Sequence, residues 1–159
     1  MPLHRRRHGH RHGGGSNLKE KGHRQKAEVR IAAAAVDLIV RHALAEMPRE
    51  CCGLLLGAAD DVVEAVSSAN LASDPNRFLI DPAAHFSARR EARRRGLSVV
   101  GFYHSHPHSP PQPSPADKAD ASYDEHLYLI IGLAVDPPEL RLFRTEHMNF
   151  VEVEFVTAS

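Results

Sequence analysis

Residues 99–107 read Val-Val-Gly-Phe-Tyr-His-Ser-His-Pro, and this stretch decides both the expected fold and the expected site. Its first half is β-branched and aromatic, which is typical of a buried strand. Because side chains alternate between the two faces of a strand, His104 and His106 should leave the same face. One metal ion could then accept a nitrogen from each imidazole. Alone, a His-x-His pair on a strand more often marks an ordinary surface.

A second polar motif follows after a proline-rich loop, where residues 114–117 read Ser-Pro-Ala-Asp. This pattern predicts a helix start, with Ser114 at the N-cap, Pro115 at the first helical position and Asp117 in the first turn. Such a helix end would return a carboxylate and a hydroxyl to the two histidines. Two imidazoles and one carboxylate leave the fourth position of a tetrahedral zinc open, which is the catalytic arrangement.

Glu50 precedes the apolar run Cys-Cys-Gly-Leu-Leu-Leu-Gly, which predicts a buried strand. A glutamate at this position has two interpretations. It could point into water at the strand edge, as an isolated strand-edge glutamate would. A hydrolytic zinc site needs a general base that takes a proton from the attacking water, and a nearby carboxylate could do this.

Composition and charge limit the classes of protein to which this chain can belong. The 159 residues suffice for one domain with a core, and no apolar run is long enough to span a membrane. The two cysteines are adjacent and form no Cys-x-x-Cys, so we expect a cytoplasmic protein without a zinc ribbon. Residues 1–30 carry nine Lys and Arg against two Glu, whereas the remainder carries eleven against eighteen Asp and Glu. The folded part should therefore be acidic.

The first 26 residues differ from the rest in composition. They are rich in His, Arg and Gly and have almost nothing to bury, so we expect a disordered tail over 1–26 and one domain over 27–159. A His-rich tract can bind metal loosely or contact nucleic acid, but a solvated tail is the simpler interpretation. The domain shows neither a structured basic face with interleaved aromatics nor a membrane segment, so neither nucleic acid nor membrane is an expected partner.

Periodicity predicts an α/β fold with a mixed, mainly antiparallel sheet flanked by helices. Helical patterns and strand patterns alternate without the regular βαβ rhythm of a doubly wound fold. The predicted helices cover Val29–Met47, Asp81–Arg95 and Ser114–Glu125, and the predicted strands include Phe78–Ile80, Leu97–Tyr103, Leu127–Ala134, Leu140–Thr145 and Phe150–Val156.

The combined motif resembles that of the JAMM (MPN-plus) family. In that family a Glu precedes His-x-His, and seven residues later comes Ser-x-x-Asp. Glu50, His104-Ser105-His106 and Ser114-Pro115-Ala116-Asp117 match it in residue type and in spacing. The resemblance extends from about Val29 to Val156, in the compact prokaryotic form without the long insertions of the eukaryotic deubiquitinases.

The resemblance implies the MPN (JAMM, cytidine-deaminase-like) fold and a zinc metallopeptidase. It implies one zinc per chain on His104, His106 and Asp117, with Glu50 as general base and then acid, and Ser114 stabilising the oxyanion. The substrate would be the bond after the C-terminal Gly-Gly of a ubiquitin-like or sulfur-carrier protein. Trimming of a carrier and cleavage of an isopeptide conjugate both remain open, as does the oligomeric state. The alternative is a non-catalytic MPN scaffold, but such relatives typically lack motif residues, and none is missing here.

Overall fold

A computed structural model describes residues 28–121 and 123–159. Eight strands and three helices form in this part of the chain, in an order that interleaves helices with the first half of the sheet. They are β1 Val29–Ala32, α1 Ala33–Glu46, β2 Cys52–Ala58, β3 Asp61–Ser68, α2 Pro82–Arg94, β4 Ser98–His106, α3 Pro115–Asp120, β5 Leu127–Gly132, β6 Glu139–Glu146, β7 Asn149–Val153 and β8 Phe155–Ala158.

The strands form one sheet in the order β7-β6-β5-β4-β2-β3-β1-β8. Four neighbouring pairs are antiparallel: β2–β3, β2–β4, β5–β6 and β6–β7. The pairs β1–β3, β1–β8 and β4–β5 are parallel. The expected mixed, mainly antiparallel sheet is therefore confirmed, and the strand that carries the histidines lies near its centre.

The sheet is strongly curled, because its two outermost strands are neighbours in the chain. Only Glu154 separates the end of β7 from the start of β8, although these strands lie at opposite ends of the strand order. A side-chain contact also joins distant parts of the sheet: Arg144 of β6 donates from Nη2 to Asp60 Oδ1 at 3.1 Å, in the turn between β2 and β3.

Apolar residues cover both faces of the central strands. Alternate residues of β2, β4 and β5 belong to two separate clusters, as the two-residue period of a strand requires. The first cluster contains Leu55, Tyr103 and Leu129 and packs under α1. The second contains Phe102 and Ile130 and packs under α2. Burial on both faces explains why these strands read as continuous apolar runs in the sequence.

The first predicted helix begins four residues late. Val29–Ala32 forms β1, with Val29 and Ile31 buried, and the strand lies in parallel between β3 and β8. Helix α1 then covers Ala33–Glu46 and buries one stripe of small and branched residues, Ala35, Ile39 and Ala43. The sequence predicts helix for these four residues because the pairing that makes β1 a strand is with β3 and β8, which are distant in the sequence.

Three further element predictions were wrong in extent. The segment Phe78–Ile80 forms only an isolated bridge between Asn70 and Ile80. The third helix ends at Asp120 instead of Glu125, because the backbone of Ala121 is extended. The predicted last strand, Phe150–Val156, is divided between β7 and β8 at Glu154. Asp81 does cap α2, accepting from the Ala83 N–H at 2.9 Å.

One expectation cannot be compared with the fold. The tail over 1–26 lies outside the described residues. Within residues 28–121 and 123–159 no helix is both long and apolar enough to cross a membrane.

Candidate active site

The C-terminal end of β4 presents two histidines on one face of the sheet, as the sequence predicts. His104 and His106 are both buried, and their Nε2 atoms lie 3.2 Å apart. Ser105 between them points to the opposite face, where its Oγ accepts from the Cys51 N–H at 2.8 Å. Strand alternation therefore delivers both imidazoles to one side and uses the serine to anchor the start of the neighbouring strand.

Helix α3 brings the third polar group to the same place through a capping box. Ser114 Oγ accepts from the Asp117 N–H at 3.0 Å, and the Ser114 N–H donates to Asp117 Oδ2 at 2.9 Å. The reciprocal bonds satisfy two backbone donors at the helix start and fix the carboxylate rotamer. The same Oδ2 atom lies 3.1 Å from Nε2 of both histidines.

The three atoms form a nearly equilateral triangle with sides of 3.1, 3.1 and 3.2 Å. Zinc bonds of about 2.0–2.2 Å in a tetrahedron place ligand atoms roughly 3.3–3.6 Å apart, so the triangle is slightly smaller than the spacing that a bound ion requires. Together with Glu50, all the candidate ligand atoms lie within 4.8 Å of one another. An imidazole pair and a carboxylate are also a donor set that zinc accepts. The residues present therefore fit a metal ion.

Glu50 completes the cluster from the start of β2. Its side chain is 4% exposed, and its Oε2 atom has no hydrogen-bond partner. Burial raises the pKa of Glu50 to about 7, with His106 opposing the shift and the carboxylates of Asp117 and Asp74 adding to it. A carboxyl that titrates near neutral pH can both take up and release a proton, which is the property of a general acid–base group.

The two histidines are held in different ways. The His106 Nδ1 atom lies 2.8 Å from the Pro110 carbonyl, which can only accept, so Nδ1 carries a proton and Nε2 faces the cluster. The proline loop is itself packed, since a Cβ on Gly132 would lie 2.7 Å from Pro111 Cδ. His104 Nδ1, in contrast, is buried without a hydrogen-bond partner.

A stacked aromatic ring, and not a hydrogen bond at Nδ1, holds the orientation of the His104 imidazole. The Phe78 ring lies 4.3 Å from the His104 ring, centroid to centroid, with only 19° between their planes. Stacking of this kind restricts rotation of the imidazole about its own axis, because a rotated ring would collide with the phenyl face.

Two of the three proposed ligands, Asp117 and His104, favour the ionisation state that binds a metal. Burial opposes ionisation of Asp117, but hydrogen bonds with both histidines outweigh it and hold the pKa of this carboxyl well below its usual range. Burial lowers the pKa of His104. Burial acts the same way on His106, yet hydrogen bonds to Asp117 and to Pro110 leave its pKa raised. An ionised Asp117 and an uncharged His104 are the forms that coordinate a metal, whereas the raised pKa of His106 favours the imidazolium, which must release its Nε2 proton when a metal binds.

A pocket of about 730 Å³ opens beside the cluster. His104 and Asp117 form one side of it, and loop 71–80 forms another. The far end is aromatic, with Phe102 and Tyr123 at a centroid distance of 5.3 Å. This volume is in the range of binding sites for small molecules.

The structure brings all five sequence-predicted residues together at the end of β4: Glu50, His104, His106, Ser114 and Asp117. The nearby His108 is exposed and outside the ligand cluster. Sequence reasoning missed two residues that shape the site, Asn70 and Phe78. Neither carries a recognisable motif, because an asparagine in a loop and a single aromatic residue are common in any sequence.

The sequence and the geometry together define the class. The family described as prokaryotic homologs of the JAB domain matches residues 32–146, most of the chain. The protein belongs to this family, so the resemblance to compact prokaryotic JAMM (MPN) proteins is confirmed.

Among curated relatives, a desampylase from Haloferax volcanii is 38% identical over 107 residues, which are 63% of this chain and 77% of that protein. A probable TtuB-protein conjugate cleaving protease from Thermus thermophilus is 37% identical over 92 residues. That match covers 57% of this chain and 61% of the Thermus protein, which is less than two thirds of its length.

Solved structures agree on the fold. The solution structure of protein DSY2949 from Desulfitobacterium hafniense is 31% identical, with a TM-score of 0.75, and the match covers 82% of this chain and 92% of that one. AF2198, a JAB1/MPN domain protein from Archaeoglobus fulgidus, is 21% identical with a TM-score of 0.54 over 82% and 98% of the two chains. At that identity the second likeness shows the fold alone, which is the MPN fold expected from the motif.

Proposed function

We propose that this protein is a zinc-dependent peptidase or isopeptidase that hydrolyses the bond after the C-terminal Gly-Gly of a ubiquitin-like or sulfur-carrier protein. The observation that carries the proposal is the convergence of Glu50, His104, His106 and Asp117, four buried side chains whose ligand atoms lie within 4.8 Å. One zinc per chain would be held by the two histidines and the aspartate. The catalytic domain would extend over 27–159.

The bound ion would supply a Lewis acid for the scissile carbonyl and a water whose pKa is lowered to about 7. Glu50 takes the proton of the attacking water on its carboxylate. It then gives that proton to the leaving nitrogen, which departs as a neutral amine. The unpartnered Oε2 atom is free for this exchange, and a pKa of about 7 permits both steps at neutral pH.

Ser114 stabilises the oxyanion in this scheme. As the N-cap of α3 it uses an oxygen lone pair to accept from the Asp117 N–H, so its hydroxyl proton remains available to a substrate oxygen. A donor of this kind contributes about 10²–10³ in rate in other hydrolases. The capping box also ties Ser114 rigidly to Asp117, which is the preorganisation that this role needs.

The names of the relatives support the hydrolase and its substrate class. A desampylase and a TtuB-conjugate cleaving protease are named for removing small modifier proteins from conjugates. A flexible Gly-Gly tail suits the pocket between loop 71–80 and α3, because glycines pass where side chains would collide. The globular body of the carrier would add binding energy away from the cleaved bond.

The test compares two substrates with the same junction: a carrier protein extended beyond Gly-Gly and a short peptide. We expect zinc-dependent cleavage directly after Gly-Gly in the carrier, much slower cleavage of the peptide, and loss of nearly all activity in Glu50→Gln with zinc retained. Equal efficiency on both substrates would indicate a general peptidase. A zinc-loaded wild type that cleaves neither substrate would favour the scaffold alternative.

A further inference from the structure

Asn70, which follows β3, uses every hydrogen-bonding position of its side-chain amide. Its Nδ2 donates to the backbone carbonyls of Glu50 at 3.0 Å and Arg77 at 2.8 Å. Its Oδ1 accepts from the backbone N–H groups of Ala72 at 3.0 Å and Leu79 at 2.9 Å. Carbonyls on one side and N–H groups on the other allow only one orientation of the amide.

One of these bonds reaches the peptide of Glu50. The Glu50 N–H also donates to the Pro75 carbonyl at 3.1 Å, so both backbone polar groups of this residue bond to the segment 70–77. Glu50 lies between α1 and β2 and outside any helix or strand. Its backbone therefore depends on these loop bonds for its position.

Two other bonds reach the peptides on either side of Phe78. Asn70 binds the Arg77 carbonyl before this residue and the Leu79 N–H after it. Phe78 stacks on His104, whose Nδ1 lacks a hydrogen-bond partner. The orientation of the His104 ring thus rests on Phe78, and the position of Phe78 rests on Asn70.

We propose that Asn70 is a positioning residue that sets the backbone of Glu50 and, through Phe78, the ring of His104. This inference rests on the proposed function. In addition to that function, the side-chain amide of Asn70 aligns both the general base, Glu50, and one metal ligand, His104. Residues that orient metal ligands typically change metal affinity or activity by about 10–100-fold when replaced, and we expect effects in this range.

The test uses Asn70→Asp, which keeps both acceptor bonds but replaces the two donor bonds with repulsion between oxygens. Asn76→Asp is the matched control, since it places the same charge in the same loop at an exposed residue. Asn70→Ala separates lost hydrogen bonds from added charge. Five quantities are measured for each variant: kcat, KM, the zinc dissociation constant by chelator competition, amide hydrogen exchange, and the thermal midpoint.

Both Asn70 variants should lower kcat at least tenfold with KM within about threefold of wild type, and weaken zinc binding about tenfold. Amide exchange should quicken at Glu50 and Leu79, whereas the Asn76→Asp control should match wild type in every measurement. Phe78→Leu, which removes the stacked ring, should weaken zinc binding without changing exchange at Glu50. This second variant also keeps the proposal testable if the Asn70 variants do not fold.

Folded Asn70 variants with wild-type kcat and zinc affinity would overturn the proposal, even if their thermal midpoints fell. Unchanged zinc affinity in Phe78→Leu would overturn the part that concerns His104. If the wild type cleaves no conjugate, the proposed function fails by itself. The zinc and hydrogen-exchange measurements would still decide the role of Asn70.

Discussion

The burial of Glu50 should make the metal-free protein less stable as pH rises, and Glu50→Gln should remove this dependence. The carboxyl has a pKa of about 7 in the folded chain against an ordinary value of 4.5. Between pH 4.5 and pH 7 the carboxyl of Glu50 is therefore protonated in the folded state and ionised in the unfolded state. Stability from this group is complete below pH 4.5 and is lost as pH rises through 7.

The size of the effect follows from the shift. At 1.36 kcal/mol per pKa unit, the contribution of Glu50 to the free energy of unfolding should fall by roughly 2–3 kcal/mol between pH 5 and pH 8. The assay is urea unfolding of chelator-treated protein, followed by circular dichroism at several pH values. Other groups titrate in the same range, so the informative quantity is the difference between wild type and Glu50→Gln at each pH.

We expect the free energy of unfolding of Glu50→Gln to increase relative to that of the wild type as pH rises. This difference should level off above pH 8. Glu154→Gln serves as the control, because it removes a carboxylate from an exposed residue between β7 and β8. Stability curves for wild type and Glu50→Gln that run parallel from pH 5 to pH 8 would refute the reasoning. They would mean that Glu50 is solvated and ionised in the folded protein.

Three further predictions concern the metal, the cap and the tail. Replacing both His104 and His106 with alanine in protein lacking residues 1–26 should abolish the single bound zinc, which elemental analysis measures; unchanged stoichiometry would exclude these ligands. Ser114→Ala should reduce kcat about 10²–10³-fold and destabilise the fold by about 1 kcal/mol through the lost cap, and a wild-type kcat would remove Ser114 from the mechanism. Deleting residues 1–26 should leave the cleavage rate unchanged at saturating zinc, and a large loss would mean that the tail delivers metal or substrate.

The candidate site could be predicted from sequence because its groups are placed by short-range rules. Strand alternation places His104 and His106 on one face, and the capping box places Ser114 and Asp117 within one helical turn. These rules act over two or three residues, so they can be applied to the sequence without knowledge of the rest of the fold. Glu50 is far from the histidines in the sequence, and there only the family motif decides between its two interpretations.

The parts that sequence could not supply depend on contacts between distant segments. β1 is a strand because β3 and β8 flank it, and its own four residues fit a helical pattern equally well. The break at Glu154 follows from the curl of the sheet, which no local pattern reports. Asn70 contacts Glu50, 20 residues away in the chain, and Phe78 contacts His104, 26 residues away. Because these contacts are long-range, no local sequence pattern indicates them.

The curl of the sheet also has a consequence for how the chain reaches its folded state. Residues 149–158 supply both outermost strands, and β7 covers β6 while β8 covers β1. Until this segment docks, β6 and β1 both present unpaired backbone groups that can recruit another chain. Docking of this one segment thus removes two aggregation-prone edges at once, and the edge strands of the described sheet are then five and four residues long. Substitutions that slow this docking should lower soluble yield well before they alter catalysis.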